Sequence, residues 1–141
     1  MRSEERVQLF NVDLLYDTAS RLHVCLTHIC QAGVRVDAIV GRSISGIVPA
    51  SVLAWMADLP LVVVRDHRTD ENRHGVEYGE GFDTYVVVDG CASRGIEDIV
   101  TLLGERRCAG VILYGRYAPP HIERHGGQDV PVVGVGPVMD S

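Results

Sequence analysis

The sequence predicts an α/β fold in which a central, mainly parallel sheet is flanked by helices. Three observations predict it: short runs of β-branched residues, stretches with helical spacing of apolar residues, and the alternation of these two patterns along the chain. The 141 residues, of which 46% are apolar, suffice to bury the core of one domain. We therefore expect a single domain over residues 1–141.

Three segments have the apolar spacing of helices. In the first, Asn11 or Asp13 can cap the start and Gly33 can end the helix. In the second, Pro49 is expected in the first turn, where its missing N–H is harmless. The expected helices cover residues 11–32, residues from the end of a loop at 42–46 to about 57, and residues 95–107.

Five short apolar segments have the composition of buried strands. The expected strands cover residues 37–41, 61–65, 85–89, 110–114 and 130–135. Strands that alternate with helices at this spacing favour right-handed crossovers and a parallel sheet, whose ligands bind at the carboxyl ends of the strands. Four charged residues lie at or just beyond those ends: Arg42, Arg65, Asp89 and Arg116.

Residues 66–83 fit neither pattern, because they are rich in charged residues and glycine and have almost no apolar periodicity. A connection this long inside a compact domain is typical of a lid or a binding loop, and it can also hide an unrecognised hairpin. A lid that closed over a site would exclude water and bring Arg65, Arg68, Arg73 and His74 to a ligand. The alternative is a solvated connection without a binding role.

The composition restricts the partners and the compartment. The formal charge of −6 argues against a general nucleic-acid surface, which needs a basic stripe that displaces counterions. No apolar run approaches the roughly 20 residues needed to cross a bilayer, so no membrane partner is expected. The four cysteines lack CxxC spacing and are expected to be reduced and to pack as small apolar residues. These features predict a cytoplasmic protein.

Residues 84–98 carry the strongest functional signal. An apolar strand ends at Asp89, and a short loop with Ser93 and Gly95 leads into a helix, so that backbone N–H groups are available to an anion. A carboxylate ahead of such amides suits sugar hydroxyls or Mg²⁺. We therefore expect a ligand that contains both a phosphate and a sugar. The alternative is that Asp89 caps the loop amides and that Ser93 and Gly95 serve only the turn.

These residues resemble the type I phosphoribosyltransferases, in which an apolar strand, acidic residues and a small loop hold the 5-phosphate of phosphoribosyl pyrophosphate (PRPP). The resemblance covers residues 37–114 and is nearest to the orotate phosphoribosyltransferases. The segment GRSISGIVPA, which starts at Gly41, is similar to their pyrophosphate loop and the helix after it. Arg65, the segment Arg73-His74-Gly75 and the pair Glu80-Gly81 are similar to their mobile catalytic loop and the turn that follows it.

The resemblance implies a Rossmann-like fold with a minimal hood. It also implies an enzyme that transfers ribose 5-phosphate from PRPP to a nitrogenous base, orotate or another nucleobase, with release of pyrophosphate. Mg²⁺ held by Asp89 together with PRPP oxygens, and a homodimer, are implied in the same way. Asp89, Arg73 and His74 are the implied catalytic residues. The residues implied to bind PRPP and its phosphates are Gly41, Arg42, Ser43, Ser45, Gly46, Arg65, Arg68, Asp89, Gly90, Cys91, Ala92, Ser93, Arg94 and Gly95.

The sequence also departs from the family pattern. Gly90 replaces a second acidic residue, and Ser45 replaces a basic residue of the pyrophosphate loop, with Arg42 nearby as a substitute. Glu97 stands where a hydroxyl would face the phosphate; a carboxylate there would repel it by on the order of a few kcal/mol, with Arg94 placed to offset the charge. These departures favour an alternative function, a catalytically impaired module that binds PRPP or a nucleotide, or that regulates. A third interpretation is another phosphate-bearing metabolite in a generic α/β crevice.

Two further features bear on function. His121 and His125 have the i, i+4 spacing that binds a metal on a helix, but the flanking pairs Pro119-Pro120 and Gly126-Gly127 predict a loop instead. Trp55 is expected in the core or at a subunit contact rather than as a platform for base stacking.

Overall fold

Seven strands form one mainly parallel sheet, and helices pack on both of its faces. The computed structural model describes residues 12–64, 76–77, 81–90 and 94–135, and the architecture is that of these residues. The strands are β1 (Ala38–Arg42), β2 (Leu61–Val64), β3 (Val76–Glu77), β4 (Thr84–Asp89), β5 (Arg107–Leu113), β6 (Ala118–His125) and β7 (Gln128–Gly134). The helices are α1 (Val12–Gln31), α2 (Ser43–Ala57) and α3 (Arg94–Leu103).

The strand order is β3-β2-β1-β4-β5-β7-β6. The five inner strands run parallel, while β3 and β6 pair antiparallel with β2 and β7 at the two edges. The predicted fold class, a mainly parallel sheet flanked by helices, is confirmed. After β1 the chain moves to one side to form β2 and then to the other side to form β4. The carboxyl ends of β1 and β4 therefore border a topological switch point, where ligands of such sheets bind.

The central strand β4 is buried on both faces by different helices. Val86 and Val88 belong to the core that α1 and α2 cover, together with Leu53 of α2. Tyr85 and Val87 belong to the core that α3 covers. Because alternate residues of a strand point to opposite faces, a strand between two helical layers is apolar throughout, which is the pattern that predicted it.

The first helix matches its predicted range to within one residue at each end. It is followed by Gly33, which has a φ of +85° and donates its N–H to the Cys30 carbonyl oxygen at 3.1 Å. A left-handed backbone at this place favours glycine. Leu22 and Leu26 are buried on the inner face of α1, which confirms the amphipathic pattern.

The second helix begins earlier than predicted. Residues 42–46 are not a loop, because β1 continues to Arg42 and α2 starts at Ser43. Pro49 therefore lies in the helix interior rather than in the first turn, and it forgoes the N–H bond to the carbonyl four residues earlier. Trp55 is 79% exposed, so its predicted core position is wrong, while a subunit contact stays a prediction. The sequence of α2 is apolar on every side and does not reveal which face is buried.

The third helix ends at Leu103 rather than at residue 107. Gly104 adopts a φ of +65°, and Arg107 already pairs with Thr84 at the start of β5. The strand β5 is accordingly longer than predicted. Glycine in the left-handed conformation stops the helix four residues before the apolar pattern alone would end it.

Residues 121–125, predicted as a loop, belong to β6, and Gly126-Gly127 form the turn to β7. β6 is the outermost strand of the sheet. An edge strand tolerates Pro119 and Pro120, because one side of its backbone makes no ladder hydrogen bonds. His121 and His125 therefore lie on an extended strand. The i, i+4 spacing places two side chains close together on a helix, but it does not do so on a strand.

The long charged segment is described only in part. Val76–Glu77 pair antiparallel with Val63 and Val64. This pairing corresponds to the unrecognised hairpin that the sequence analysis left open for the segment. Arg65, Arg68, Arg73 and His74 lie outside the described residues.

Two composition-based expectations concern the cysteines and the membrane. Cys25, Cys30 and Cys108 are free thiols, while Cys91 lies outside the described residues. Of the helices within the described ranges, none combines the length and the apolar character that crossing a bilayer requires.

Candidate functional site

The switch point between β1 and β4 brings together the two segments that the sequence assigned to a phosphorylated sugar. A Cβ placed on Gly46, in the first turn of α2, would lie 3.2 Å from the Val88 carbonyl oxygen and 3.7 Å from Asp89 Oδ1. The absence of a side chain at position 46 lets the start of α2 lie directly against the end of β4. The glycine-containing segment after β1 and the carboxylate after β4 thus share one edge of the sheet.

Asp89 is buried at the end of β4. It is 8% exposed, and among the described residues it is the one buried side chain that carries charge. Its Oδ1 accepts a hydrogen bond from the Gly90 N–H at 2.8 Å. A buried carboxylate needs polar partners, and this bond supplies one of them from the backbone of the next residue. The capping role that the sequence left open for Asp89 is therefore real, and it leaves the carboxylate at the switch point.

Arg42 reaches from the end of β1 to the first turn of α3. A Cβ placed on Gly95 would overlap Nη1 of Arg42 and lie 2.7 Å from its Cζ. The helix N-terminus carries a partial positive charge from its first N–H groups, so a guanidinium beside it adds to the local positive charge. Arg42 and the start of α3 are two positive groups that converge on one place, which is the arrangement that binds phosphate.

The start of α2 contributes a second set of backbone donors. Arg42 is the N-cap residue of α2, with φ of −131° and ψ of +140°, and its side chain makes no capping hydrogen bond. The first turn also contains no acidic residue. Its N–H groups point toward the carboxyl edge of the sheet, as in helices that bind anions at their N-termini.

Gly41 has a packing role instead. A Cβ at this position would lie 2.9 Å from Ala50 Cβ and 3.1 Å from Ile47 Cα. Gly41 lies within β1, paired with Val63 and Val88 on the two sides. Its missing side chain lets α2 rest on the strand, so Gly41 places the amide donors without being one of the first-turn groups itself.

Tyr114 was missed by the sequence reasoning. A Cβ placed on Gly90 would lie 3.8 Å from the Tyr114 hydroxyl oxygen. The Tyr114 N–H donates to the Asp89 carbonyl oxygen at 3.0 Å, and the Gly115 N–H donates to that of Gly90 at 3.2 Å. The signal that could have found it is a polar aromatic residue directly after β5, at the same edge of the sheet as Asp89.

The Glu97 carboxylate does not face this site. Its Oε2 lies 3.1 Å from Nδ1 of His125, and both of its oxygens accept the Gly126 N–H. Because β7 runs parallel to β5, the turn before β7 lies toward the amino-terminal edge of the sheet, away from Asp89. The predicted repulsion between Glu97 and a phosphate is therefore wrong, since side-chain direction is set by the hairpin that packs on α3.

The predicted site residues fall into three groups. Those brought together at the switch point are Arg42, Gly46, Asp89, Gly90 and Gly95, with Gly41 beneath them. Ser43 and Ser45 lie in the first turn of α2, and Arg94 begins α3, so the backbone places all three at this edge of the sheet. Those outside the described residues are Arg65, Arg68, Arg73, His74, Cys91, Ala92 and Ser93.

No group of three or more His, Cys, Asp or Glu side chains within the described ranges is arranged to hold a metal ion by itself. His121 and His125 therefore do not belong to a metal-binding group of this kind. Asp89 is a single carboxylate, and Mg²⁺ in phosphate-binding enzymes is often held by one or two carboxylates together with substrate phosphates. The residues present at the switch point fit that kind of site.

Comparison with known proteins gives a likeness of fold. No protein-family model matches the sequence, and no curated protein matches it. Solved structures do match, among them the crystal structure of a hypothetical protein from Neisseria gonorrhoeae with bound ppGpp. The two chains are 18% identical, the TM-score is 0.54, and the match covers 89% of this chain and 79% of that chain. At this identity the likeness shows the shared α/β fold.

Proposed function

We propose that the chain binds PRPP at the switch point between β1 and β4 and transfers its ribose 5-phosphate group to a nitrogenous base. The observation that carries the proposal is the convergence of the Arg42 guanidinium and the start of α3 beside the buried Asp89. A guanidinium and backbone N–H groups bind phosphate oxygens, and a carboxylate next to them binds ribose hydroxyls. PRPP supplies both kinds of group within one small molecule.

In the proposed reaction the bond between ribose C1 and the pyrophosphate oxygen breaks, and its electron pair leaves with pyrophosphate. A nitrogen of the base attacks C1 from the opposite face and forms the new C–N bond, so the configuration at C1 inverts. Positive charge develops on the ribose ring and negative charge on the diphosphate. Arg42 and the amides of α2 stabilise the departing diphosphate, and Asp89 stabilises the ribose.

The resemblance also implies Mg²⁺, which Asp89 would hold together with diphosphate oxygens. When bound, the metal neutralises charge on the leaving diphosphate. The homodimer implied by the resemblance stays a prediction, which sedimentation of the purified chain tests.

The second candidate function is binding of PRPP or a nucleotide without turnover. Gly90 favours it, because the position lacks the carboxylate that a second contact to ribose or Mg²⁺ would use. The structurally similar protein from Neisseria gonorrhoeae was solved with ppGpp, which, like PRPP, combines a ribose with a diphosphate. A site for such a ligand requires the same cationic and amide groups.

Calorimetric titration of PRPP with and without Mg²⁺, followed by a pyrophosphate-release assay across a panel of bases, separates the two candidates. Release that depends on Mg²⁺ and is lost in Asp89→Asn supports the transferase, with Asp129→Asn on β7 as the control. Binding without release for every base supports the module instead. A chain that binds neither PRPP nor ppGpp would contradict both.

A further inference from the structure

A chain of four alternating acidic and imidazole side chains links α3 to the β6–β7 hairpin. His121, Glu123 and His125 are alternate residues of β6 and lie on one face of the strand. Glu123 contacts both histidines: its Oε2 lies 2.6 Å from His121 Nε2, and its Oε1 lies 2.8 Å from His125 Nε2. Glu97 of α3 closes the chain, with Oε2 at 3.1 Å from His125 Nδ1.

The nitrogens of both imidazole rings face hydrogen-bond acceptors. Both nitrogens of His125 face carboxylate oxygens, and those of His121 face the Glu123 carboxylate and the Pro119 carbonyl oxygen, the latter at 2.8 Å. These oxygens only accept hydrogen bonds, whereas a neutral imidazole donates from one nitrogen alone. Each ring therefore makes both of its bonds only as the imidazolium.

The same contacts attach the hairpin to the helix. Both oxygens of Glu97 accept the Gly126 N–H, at 3.2 and 3.1 Å. A Cβ placed on Gly126 would lie 2.6 Å from Val100 Cγ1, so the turn rests on α3. Glu97 stands two residues after Gly95, against which the Arg42 side chain lies. A bond that fixes Glu97 therefore also restrains the first turn of α3 relative to Arg42.

We propose that Glu97 is a positioning residue, which holds the first turn of α3 at the phosphate site by binding Nδ1 of His125 and the Gly126 N–H. The inference rests on the proposed function for the identity of the ligand, but the link between Glu97 and His125 does not. The link needs a proton on Nδ1 of His125, and the Gly126 N–H bond to Glu97 supports it. Removing the Glu97 carboxylate therefore lowers the affinity of the site for a phosphorylated ligand.

Two of the four side chains, His121 and Glu123, have shifted pKa values. The Pro119 carbonyl and then Glu123 raise the pKa of His121, against a smaller opposing effect of Arg116, while hydrogen bonds from His125 and then His121 lower the pKa of Glu123. A raised imidazole pKa adds stability that is lost as pH rises above the ordinary value of 6.5, and a lowered carboxyl pKa adds stability that is lost below 4.5. The contact between His121 and Glu123 is therefore strongest between these two values.

Other charged groups near the hairpin do not enter the chain. Arg124 and Asp129 pair with each other at 2.9 Å across β6 and β7, and both are exposed. Arg124 is at an alternate position of β6 from the histidines and so lies on the other face of the strand. Asp98 follows Glu97 on α3 and is exposed.

Nitrogen-15 NMR of the imidazole rings tests the link in the ligand-free chain. We expect a proton on Nδ1 of His125 that is hydrogen-bonded to the Glu97 carboxylate, with through-space contact to Gly126, and we expect the Nδ1 signal to change in Glu97→Gln. An Nδ1 that carries no proton in the wild-type protein, or a signal that is unchanged in Glu97→Gln, would overturn the proposal. This measurement does not depend on PRPP or on the stability of a variant.

Thermal unfolding and PRPP titration test the consequence, with Glu105→Gln as the matched control because Glu105 is exposed just beyond α3. Glu97→Gln should lower the Tm by about 2–5 °C and weaken PRPP binding severalfold. Glu105→Gln should change neither. A loss of PRPP affinity in Glu97→Gln no larger than that in Glu105→Gln would overturn the proposal. Absence of PRPP binding to the wild-type chain would instead reject the proposed function and leave the NMR result standing.

Discussion

Arg42 and Gly95 meet across the switch point, where the guanidinium of Arg42 occupies the space that a side chain at position 95 would take. Glycine inside a helix costs about 0.5–1 kcal/mol relative to alanine, so its presence in the first turn of α3 needs a reason. The contact with Arg42 is that reason. It allows the guanidinium of Arg42, at the end of β1, to reach the N–H groups at the start of α3. The two elements together place a cation and backbone donors at one point.

Gly95→Ala is expected to weaken PRPP binding by about 10- to 100-fold, because a hydrogen bond to a charged group is worth about 1.5–3 kcal/mol and the added methyl displaces the guanidinium. The fold should persist, since Arg42 is a flexible side chain that can move away. Isothermal titration at fixed Mg²⁺ concentration measures the loss.

The Arg42→Ala background supplies the control for this prediction. There the guanidinium is already gone, so adding Gly95→Ala should cost no further affinity and should stabilise α3 by up to about 1 kcal/mol through helix propensity. Equal losses of affinity from Gly95→Ala in the two backgrounds would show that the contact between the two residues is not what matters.

Gly41→Ala is expected to destabilise the chain by about 1–3 kcal/mol, the usual cost of overpacking a core. The new Cβ would lie 2.9 Å from Ala50 Cβ and 3.1 Å from Ile47 Cα, so α2 must move away from β1. Urea unfolding measures the change in free energy. Ala50→Gly removes one of the two atoms in the way, and the double variant should recover part of the loss; no recovery would place the cost elsewhere.

The sequence predicted the parts of the fold that burial determines. β4 is apolar throughout because α3 covers one face and α1 and α2 the other, and α1 is apolar on one side only. Its predictions failed where local signals were ambiguous. Arg42 and Ser43 suit a loop as well as a strand that runs directly into a helix, and Pro119 is compatible with a strand only at the edge of a sheet, which tertiary structure decides.

The candidate site shows the same division. Asp89 and Gly46 were predicted to share a site because parallel strands place their carboxyl ends at one edge, which follows from topology. The contact between Arg42 and Gly95, the place of Tyr114, and the direction of Glu97 depend on which elements are neighbours in space. No local pattern encodes those contacts, so they emerge only once the strand order is known.

Tyr85→Phe is expected to stabilise the chain by about 1 kcal/mol, since a buried polar group without a partner costs about 1–3 kcal/mol. The Tyr85 hydroxyl is buried, and apart from the Cys108 thiol near it, which is a weak partner, it meets no hydrogen-bonding group among the described residues. Burial also raises the pKa of Tyr85 and raises that of Cys108, near its hydroxyl, to about 12. Tyr117→Phe, at a residue that is 74% exposed, should leave the free energy of unfolding unchanged. A destabilised Tyr85→Phe variant would reveal a partner for the hydroxyl.

Asp37→Asn is expected to lower the Tm at pH 6 and to make no difference in strong acid. Asp37 Oδ2 accepts the N–H groups of Asp83 and Thr84 at 3.2 and 3.1 Å, and Oδ1 lies 3.0 Å from Arg35 Nε. These backbone hydrogen bonds, and then Arg35, lower the pKa of Asp37 from its ordinary value of 3.8. A lowered carboxyl pKa gives stability that is present above 3.8 and is lost as pH falls through the folded-state pKa.

Thermal unfolding of the wild-type chain and Asp37→Asn between pH 2 and pH 7 tests this, with Asp17→Asn on the exposed side of α1 as the control. The Tm difference for Asp37→Asn should be largest above pH 4 and should close as the wild-type carboxylate becomes protonated. Asp17→Asn should show a small difference throughout. If the Asp37→Asn difference stayed constant down to pH 2, the bonds to β4 would depend on the shape of the side chain and not on its charge.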